Sequence, residues 1–395
     1  MPLIPPSLTL GIEEEYLLVD PKTRDLVSVQ PEGFMRSCEE RLGRHVTHEF
    51  LQAQVEVGTP VCQTIGEARE ELAHLRFRVA EVAKAYGLAI VAASTHPFAH
   101  WRSQRWTQKE RYIILARDMQ ALAERLVICG MHIHAGVEDR ELRIDLLNQA
   151  RYFLPHLLAL STSSPFWEGR PTGLKAYRPT IFGDLPRSGL PETFESAEAY
   201  DHFTRQLAET GLCEDQTKIW WDLRPSYKFP TLELRVCDIC TRMEDAITIA
   251  ALYQAILAAL YRLRERNQTW RHYRRTLIAE NKWLAQRYGV LGSLADFGVS
   301  TTKPFGELLD ELLEIVGEEA VRLGTLAEVE AARAIVARGT SADRQLAVYA
   351  KARAEGASEQ EAPVAVVDWL IQESMTGVEA ALSQPAREPA SALAD

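Results

Sequence analysis

Several short segments of the chain alternate between apolar and polar residues, with the period of two that is typical of β-strands. In each segment one face is apolar, and the opposite face carries residues with chemical functions. The connection 225–230 has the length of a hairpin loop, so the two segments that flank it are predicted to pair antiparallel. Strands of this kind predict an antiparallel sheet with helices packed on its apolar face. The segments are 10–19, 49–58, 130–137, 219–224 and 231–236, with shorter candidates at 26–29 and 88–93.

Helical periodicity fills most of the remaining chain. Capping-box patterns begin at Thr64, Thr107 and Thr241, and Asp139 is placed as a further N-cap, so four helix starts are predicted. The segment 164–191 carries Pro and Gly and predicts a long functional loop. The predicted helices are 32–44, 65–86, 107–128, 139–161, 196–210, 241–264, 268–288, 305–316, 318–337, 341–354 and 359–383.

This order of elements predicts an α+β protein. No linker or internal repeat divides the chain, so we expect a single domain over residues 1–382, whose helical C-terminal part begins at about residue 241. The last segment, 383–395, is rich in Ala, Pro and Ser and predicts a flexible tail.

The polar faces of the predicted strands carry an unusual set of residues, because Glu, His and Arg are present and Lys is absent. Carboxylates favour Mg²⁺ or Mn²⁺, and histidine shifts the preference towards Mn²⁺ or Zn²⁺. Arginine indicates an anionic substrate. Together these groups are suited to phosphoryl transfer, although the chain has no P-loop motif. The set is Glu13, Glu15, Gln52, Gln54, Glu56, His132, His134, Asp222, Arg224, Glu233 and Arg235.

Each of these features also has a purely structural interpretation. Glu13 and Glu15 could belong to an exposed sheet edge, since charged edge strands are common. His132 is interpreted as a core or supporting residue. A Cys-x-x-Cys pair, Cys237 and Cys240, could suggest zinc or redox chemistry, but two buried thiols are the favoured interpretation.

Glu14 lies on the apolar face of the first predicted strand, between the two glutamates of the polar face. If this face is buried under helices, its carboxylate requires a partner, which the sequence does not identify.

The composition and charge of the chain limit the kinds of molecule that it is expected to bind. The chain has 395 residues, a net charge of −11 and a pI of about 5.5. This charge argues against nucleic acid or an anionic membrane as the main partner. No run of 18 apolar residues or signal peptide is recognised, and six scattered cysteines suit a reducing cytoplasm. We therefore expect a cytoplasmic protein with small-molecule substrates, and leave open a homo-oligomer such as a dimer.

Five motifs, in order, resemble the type 2 glutamate–cysteine ligase family, and within it the bacterial carboxylate–amine ligases. The resemblance runs from about residue 8 to 375. The motifs are Gly-Ile-Glu-Glu-Glu-Tyr-Leu-Leu-Val-Asp at 11–20, Gln-Val-Glu at 54–56, Gly-Met-His-Ile-His at 130–134, Ser-Pro-Phe-Trp at 164–167 and Pro-Thr-Leu-Glu-Leu-Arg at 230–235.

The resemblance implies a glutamine synthetase-like catalytic fold, in which helices back one face of a curved antiparallel sheet. It also implies an ATP-dependent reaction with Mg²⁺ or Mn²⁺. In this reaction a substrate carboxylate, typically the γ-carboxyl of glutamate, is phosphorylated by ATP. The acyl phosphate is then attacked by an amine, typically that of cysteine. Matching motif positions imply that the metal ligands are Glu13, Glu15, Glu56, His134 and Glu233.

The same resemblance gives Arg235 a contact with the transferred phosphoryl group and makes it catalytic together with Glu233. Arg178, Arg224 and Arg235 are the candidate substrate-binding residues, while the adenine-binding residues are not identified. Lys175 lies where the sequence departs from the family pattern, so no role is assigned to it. Two alternatives remain at this point: a metal-dependent phosphotransferase of the guanidino kinase type, and a non-catalytic homologue.

Overall fold

The computed structural model describes residues 4–214 and 216–382, so the predicted flexible tail at 383–395 lies outside the described residues. The strands are β1 (Leu10–Val19), β2 (Val46–His48), β3 (Gln54–Gly58), β4 (Ala89–Val91), β5 (Met131–Gly136), β6 (Phe166–Trp167), β7 (Arg170–Pro171), β8 (Ser188–Gly189), β9 (Trp220–Trp221), β10 (Leu223–Pro225), β11 (Thr231–Leu234), β12 (Ser293–Asp296) and β13 (Thr301–Pro304).

Helices make up most of the remaining structure. They are α1 (Phe34–Leu42), α2 (Ile65–Ala85), α3 (Glu110–Met119), α4 (Ala121–Glu124), α5 (Arg140–Ala150), α6 (Leu154–Ser161), α7 (Arg178–Phe182), α8 (Ala197–Glu209), α9 (Met243–Glu265), α10 (Arg275–Tyr288), α11 (Phe305–Arg322), α12 (Leu326–Glu330), α13 (Ala332–Arg338), α14 (Ser341–Ala354), α15 (Ala362–Ser374) and α16 (Val378–Leu382).

A seven-stranded sheet organises the described part of the chain. Its order is β10-β11-β5-β1-β3-β2, and β4 also pairs with β1. All of these pairings are antiparallel, and the predicted β10–β11 hairpin is among them. Strand β1 lies at the centre, where it pairs with β5 through residues 10–14 and with β3 through residues 13–17.

The helices cover the apolar face of this sheet. Both α2 and α9 contact β1, and α15 contacts β4. Ile12, Tyr16 and Leu18 of β1 are buried against them. The predicted α+β class, with helices on one face of an antiparallel sheet, is therefore confirmed.

Helix α9 is long and apolar enough to cross a membrane, alone among the described helices. Most of its apolar segment is buried inside the protein, as is usual for a core helix.

Two of the predicted helix starts are correct, and two are wrong. The side chains of Thr64 and Asp139 cap α2 and α5 through the amides of Glu67 and Leu142. Thr107 does not cap α3, because its hydroxyl donates to the carbonyl of Glu49 instead. Thr241 likewise bonds to the hydroxyl of Ser341, two residues before α9 begins.

Several strand and loop boundaries also differ from the prediction. Residues 49–53 are not part of β3, which begins at Gln54. The segment 26–29 contributes only one bridge, between Leu26 and Val19. The predicted loop 164–191 contains short strands and α7. The β12–β13 hairpin and β2 were not predicted, since each is only three or four residues long.

Glu14 has the partner that the sequence could not identify. Its carboxylate is fully buried and accepts three hydrogen bonds of 2.6, 2.7 and 3.1 Å from the guanidinium of Arg76 on α2. The phenol of Tyr16 donates to the same carboxylate at 2.5 Å. Arg76 also donates to three backbone carbonyls, of Cys240, Thr241 and Ser374. Every charge and donor of this buried cluster is thus compensated within the protein.

Candidate functional site

The register of the sheet brings the predicted site residues onto one face. Direct cross-strand partners have side chains on the same side of a sheet. Glu13 lies opposite His132, and Glu15 lies opposite Glu56. His134 lies opposite Glu233 and, on its other side, opposite Gly11. Because Gly11 has no side chain, space remains between His134 and β1.

The first cluster consists of Glu13, His134 and Glu233, whose ligand atoms lie within 4.8 Å of one another. The Nδ1 atom of His134 is 2.8 Å from the hydroxyl of Thr231, which orients the ring. Its Nε2 atom lies 3.5 Å from Glu13 Oε1 and is buried without a hydrogen-bond partner among the described residues. A histidine held through one nitrogen, with the other free among carboxylates, is arranged as metal-ligating histidines usually are.

The second cluster consists of Glu15, Glu49 and Glu56, again with ligand atoms within 4.8 Å. Glu15 accepts a hydrogen bond from the amide of Gly130 at 2.7 Å, and Glu56 accepts one from Thr47 at 2.8 Å. Burial and the charge of Glu49 raise the pKa of Glu15 to about 8. Burial and the neighbouring glutamates also raise the pKa of Glu56 well above its usual value. The carboxylates are thus held close together against their mutual repulsion, which a divalent cation would relieve.

His132 connects the two clusters, as a third group with Glu13 and Glu56. Its Nδ1 atom is 3.0 Å from Glu13 Oε2, and its Nε2 atom is buried without a hydrogen-bond partner in the described structure. Burial and the charge of Arg235 lower the pKa of His132 to about 4, so the ring is neutral near pH 7. His132 therefore lies within the candidate site, whereas the sequence indicated only a supporting or core residue.

Glu13 and Glu233 remain charged despite their surroundings. Burial alone would raise the pKa of Glu13, but the adjacent imidazoles of His132 and His134 bring it well below its usual value. Burial also opposes the charge of Glu233, yet Arg235 and Arg224 lower its pKa.

The three candidate arginines have different surroundings. Arg235 Nη1 lies 2.5 Å from Glu233 Oε1 and 3.4 Å from His132 Nδ1, while its Nε is buried without a partner in the described residues. Arg224 forms a two-point pair with Glu233, at 2.9 and 3.1 Å. Arg178 is 4% exposed and donates to the carbonyls of Arg235 and Cys237. Arg235 therefore has a free donor within the site, whereas Arg224 and Arg178 are already engaged in holding the protein.

Glycine at position 130 leaves room for the Arg178 guanidinium, which lies directly above it. A Cβ atom there would be only 2.4 Å from Arg178 Nη2. The charge of Arg178 also acts on Glu15. Gly130 thus allows the arginine to lie beside the second cluster.

Glu49 is the acidic residue that the sequence did not indicate. In a continuous strand from 49 to 58 it would share the apolar face with Leu51 and Val55. The chain instead turns at residues 52–53, and β3 begins at Gln54. This turn reverses the expected side for Glu49 and places it beside Glu56. An unpaired glutamate in an otherwise apolar row was the signal available in the sequence.

Several other polar residues lie outside the two clusters. Gln54 is buried and donates to the carbonyl of Ile128 at 2.6 Å, while Gln52 donates to the carbonyl of Trp106. Asp222 forms an ion pair with Lys282 at 2.6 Å, and Lys175 forms one with Asp343 at 2.7 Å.

The Cys237 and Cys240 thiols are buried and free. Burial raises the pKa of Cys237 to about 12. Neither cysteine belongs to a group of metal-ligand atoms among the described residues. Two buried thiols, the favoured interpretation of this pair, agree with these surroundings.

Solved structures share this fold. A bifunctional glutathione synthetase from Pasteurella multocida superimposes with a TM-score of 0.67 and 14% identity, over 93% of this chain and 52% of that one. This chain therefore spans about half of that protein. A glutamate–cysteine ligase from Francisella tularensis, determined in complex with AMP, gives a TM-score of 0.65 and 14% identity, over 93% and 89% of the two chains. The fold is thus one that ligases use.

Sequence relatives identify the family. The model of glutamate-cysteine ligase family 2 matches residues 9–363. A protein of Rhodospirillum rubrum named "Putative glutamate--cysteine ligase 2" is 54% identical over 384 residues, which are 96% of this chain and 99% of that protein. A Jannaschia protein of the same name is 50% identical over 365 residues, with 92% and 96% covered. The chain belongs to glutamate-cysteine ligase family 2, as its motifs predicted.

Proposed function

We propose that this protein is an ATP-dependent carboxylate–amine ligase that forms an amide through an acyl phosphate. The observation that carries the proposal is the convergence of Glu13, Glu15, Glu56 and Glu233, two histidines and Arg235 on one face of the sheet, in a chain of this family. A carboxylate must be activated before an amine can displace an oxygen from it, and ATP is the phosphoryl donor implied by the resemblance.

Divalent cations, Mg²⁺ or Mn²⁺, are proposed as cofactors held by the two clusters. Glu13, His134 and Glu233 would hold one ion, and Glu15, Glu49 and Glu56 another. The oxygen-rich donor set suits these ions, and the unpartnered His134 Nε2 supplies a nitrogen donor. When bound, the ions would neutralise the phosphate oxygens of ATP and of the transferred group.

Arg235 is proposed to contact the phosphoryl group during its transfer. The guanidinium is held by Glu233, and its buried Nε lacks a partner among the described residues. A positioned cation with a spare donor stabilises negative charge that develops on a transferred group. Arg224 is proposed to support this arrangement, because it fixes Glu233 from the other side.

The proposed substrates are glutamate, through its γ-carboxyl, and cysteine or another amine. Support comes from the relatives named as glutamate–cysteine ligases. A reducing cytoplasm is the proposed location, since the six cysteines are buried and form no disulfide with one another.

A guanidino kinase-type phosphotransferase is not favoured, because the family and the solved structures of this fold are ligases. A non-catalytic homologue is also not favoured. Such a protein would have no reason to hold repelling carboxylates such as Glu15, Glu49 and Glu56 together.

A phosphate-release assay tests the proposal. The purified protein is given ATP, Mg²⁺ and glutamate, with and without each member of an amine panel that includes cysteine. We expect phosphate release to depend on both glutamate and one amine, with an equimolar amide product by mass spectrometry. A stable phosphorylated product, formed without amide, would instead support the phosphotransferase.

A further inference from the structure

A polar cleft of about 220 Å³ lies at the β10 edge of the sheet, next to the candidate site. Its walls come from the start of α5, from α8 and from the turn after β10. The charged and hydroxyl-bearing residues that line the cleft include Arg140, Arg143, Tyr200, Asp201 and Ser226. None of them belongs to the two carboxylate clusters.

Tyr200 gives the cleft a donor that the protein itself does not use. The residue as a whole is 5% exposed and lines the cleft, and no hydrogen bond joins its hydroxyl to the other described residues. A buried phenol normally has a partner, because desolvating an unpaired hydroxyl is costly. The Tyr200 hydroxyl is therefore available to a molecule in the cleft.

The cleft also carries one uncompensated positive charge. Arg140 is paired with Asp201 at 2.5 Å. Arg143 is half-buried and donates only to the backbone carbonyls of Val137 and Glu138, so no carboxylate among the described residues pairs with it. Burial and the charge of Arg140 lower the pKa of Arg143, which an anion in the cleft would reverse. One charge and neutral hydroxyls suit a single carboxylate better than a polyphosphate.

The position of the cleft connects it with the reaction. Its wall at Pro225 and Ser226 directly follows Arg224, which holds Glu233. The charges of Arg224 and Glu233 both act on Tyr200. The cleft therefore lies close to the charged groups at the β10 end of the sheet.

We propose that this cleft binds a carboxylate of one of the two small-molecule reactants, away from its reacting group. The inference rests on the proposed ligase function and adds a specificity-determining site to it. Tyr200 and Arg143 are its recognition residues. The carboxylate is either the α-carboxylate of the glutamate-like substrate or the carboxylate of an amino-acid amine, and the chemistry of recognition is the same for both.

The test uses Tyr200→Phe, which removes only the unpartnered oxygen, with Tyr261→Phe as a matched control outside the cleft. We expect an unchanged thermal midpoint, a kcat within about twofold and a KM for one reactant raised about tenfold, as for the loss of one hydrogen bond to a charged group. The KM for ATP should not change.

Two analogues identify which reactant uses the cleft. 4-Aminobutyrate keeps the γ-carboxyl of glutamate but lacks its α-carboxylate, and cysteamine is cysteine without its carboxylate. The effect of Tyr200→Phe should disappear with one analogue and persist with the other. Arg143→Gln should raise the same KM as Tyr200→Phe.

Other outcomes overturn the inference. If Tyr200→Phe leaves the KM values for both reactants unchanged, or raises only the KM for ATP, the cleft does not bind a carboxylate of either reactant. If wild-type protein forms no amide with any amine, the proposed function fails. Calorimetry then tests independently whether the cleft binds a carboxylate, by measuring the affinity of wild type and Tyr200→Phe for glutamate and for cysteine. Equal affinities of the two proteins for both ligands would overturn the inference.

Discussion

Glu233 occupies the most strongly constrained position of the polar face. It holds two arginines, lies opposite His134 and is buried. We predict that Glu233→Gln abolishes turnover while the protein stays folded, since Gln keeps the shape but loses the charge. Phosphate release and circular dichroism measure the two effects, with exposed Glu359→Gln as the control. Near-normal turnover would remove Glu233 from the proposed metal site.

Glu49 tests the second cluster. Glu49→Gln removes one of three carboxylates that would hold a divalent ion. We expect the concentration of Mn²⁺ at half-saturation, followed by electron paramagnetic resonance, to rise about tenfold or more. Glu110→Gln, on exposed α3, serves as the control. An unchanged Mn²⁺ affinity would show that Glu49 is only a neighbour of the site.

Arg235 should act on the rate more than on binding. Its guanidinium lies beside Glu233 and His132 and would meet charge that develops during transfer. Arg235→Ala is expected to lower kcat by at least about 100-fold while the affinity for ATP falls much less. Steady-state kinetics and equilibrium ATP binding measure the two quantities. A larger loss of ATP affinity than of kcat would assign Arg235 to ground-state binding.

The sequence predicted which candidate side chains share the polar face, because strand alternation assigns each side chain to a face. Glu13, Glu15, Glu56, His134 and Glu233 all lie on the predicted face. Alternation says nothing about positions outside a strand, which is why Glu49 was missed. It also does not show which arginines are already paired, so the engagement of Arg224 and Arg178 became visible only in the structure.

At the scale of elements, strand β1 joins the two sides of the molecule. Its polar face carries Glu13 and Glu15, and its apolar face carries Glu14, paired with Arg76 of α2. Because successive side chains alternate, the position of Glu14 fixes which faces its two neighbours take. The buried Glu14–Arg76 pair on the apolar face therefore helps to fix the positions of Glu13 and Glu15 on the opposite, polar face.

Removing one member of this pair should be costly. Arg76→Met leaves the Glu14 carboxylate buried without its cation, and we expect the free energy of unfolding to fall by about 3–5 kcal/mol. Urea denaturation measures the change. The double variant Glu14→Gln with Arg76→Met should recover more than half of the loss. A single variant as stable as wild type would show that Glu14 is compensated elsewhere.

Elements with strong local signals were predicted well, and weak ones were not. Helices α2, α5 and α8 begin at side-chain caps that the sequence displays. The predicted helix at 107–128 is instead divided at Gln120, whose φ is 50°. Short strands such as β2 depend on pairing partners far along the chain, and no local pattern marks them.

For the whole molecule, buried neutral histidines predict a loss of stability in acid. His96 accepts hydrogen bonds from the amides of Phe98 and Ala99 through Nδ1 and donates to the carbonyl of Arg24. Burial lowers the pKa of His96 to about 4. Between pH 6.5 and 4 the unfolded chain binds a proton that the folded protein does not, so stability falls as the pH falls.

The size of the effect follows from the slope of the free energy of unfolding against pH. His96 contributes up to about 1.4 kcal/mol per pH unit in this window and nothing above it. Asparagine can accept the same hydrogen bonds without taking up a proton, so His96→Asn should have the shallower slope in urea denaturation from pH 7.5 to 4. Exposed His272→Asn is the control. Equal slopes for wild type and His96→Asn would contradict the assignment.

The class of fold followed from the sequence because every major strand displayed one apolar face. The order of the strands in the sheet did not follow, since β5 and β11 are distant in the chain and their pairing depends on tertiary structure. The family resemblance supplied what periodicity could not, and the match over residues 9–363 agrees with it.

The carbonyls that Arg76 binds have a consequence for synthesis of the protein on the ribosome. One of them belongs to Ser374, 298 positions after Arg76 in the chain. The first strand and Arg76 emerge early, yet the last acceptor for Arg76 is translated 298 positions after it. The nascent chain therefore cannot complete the interior around β1 until Ser374 has been translated and has left the ribosome.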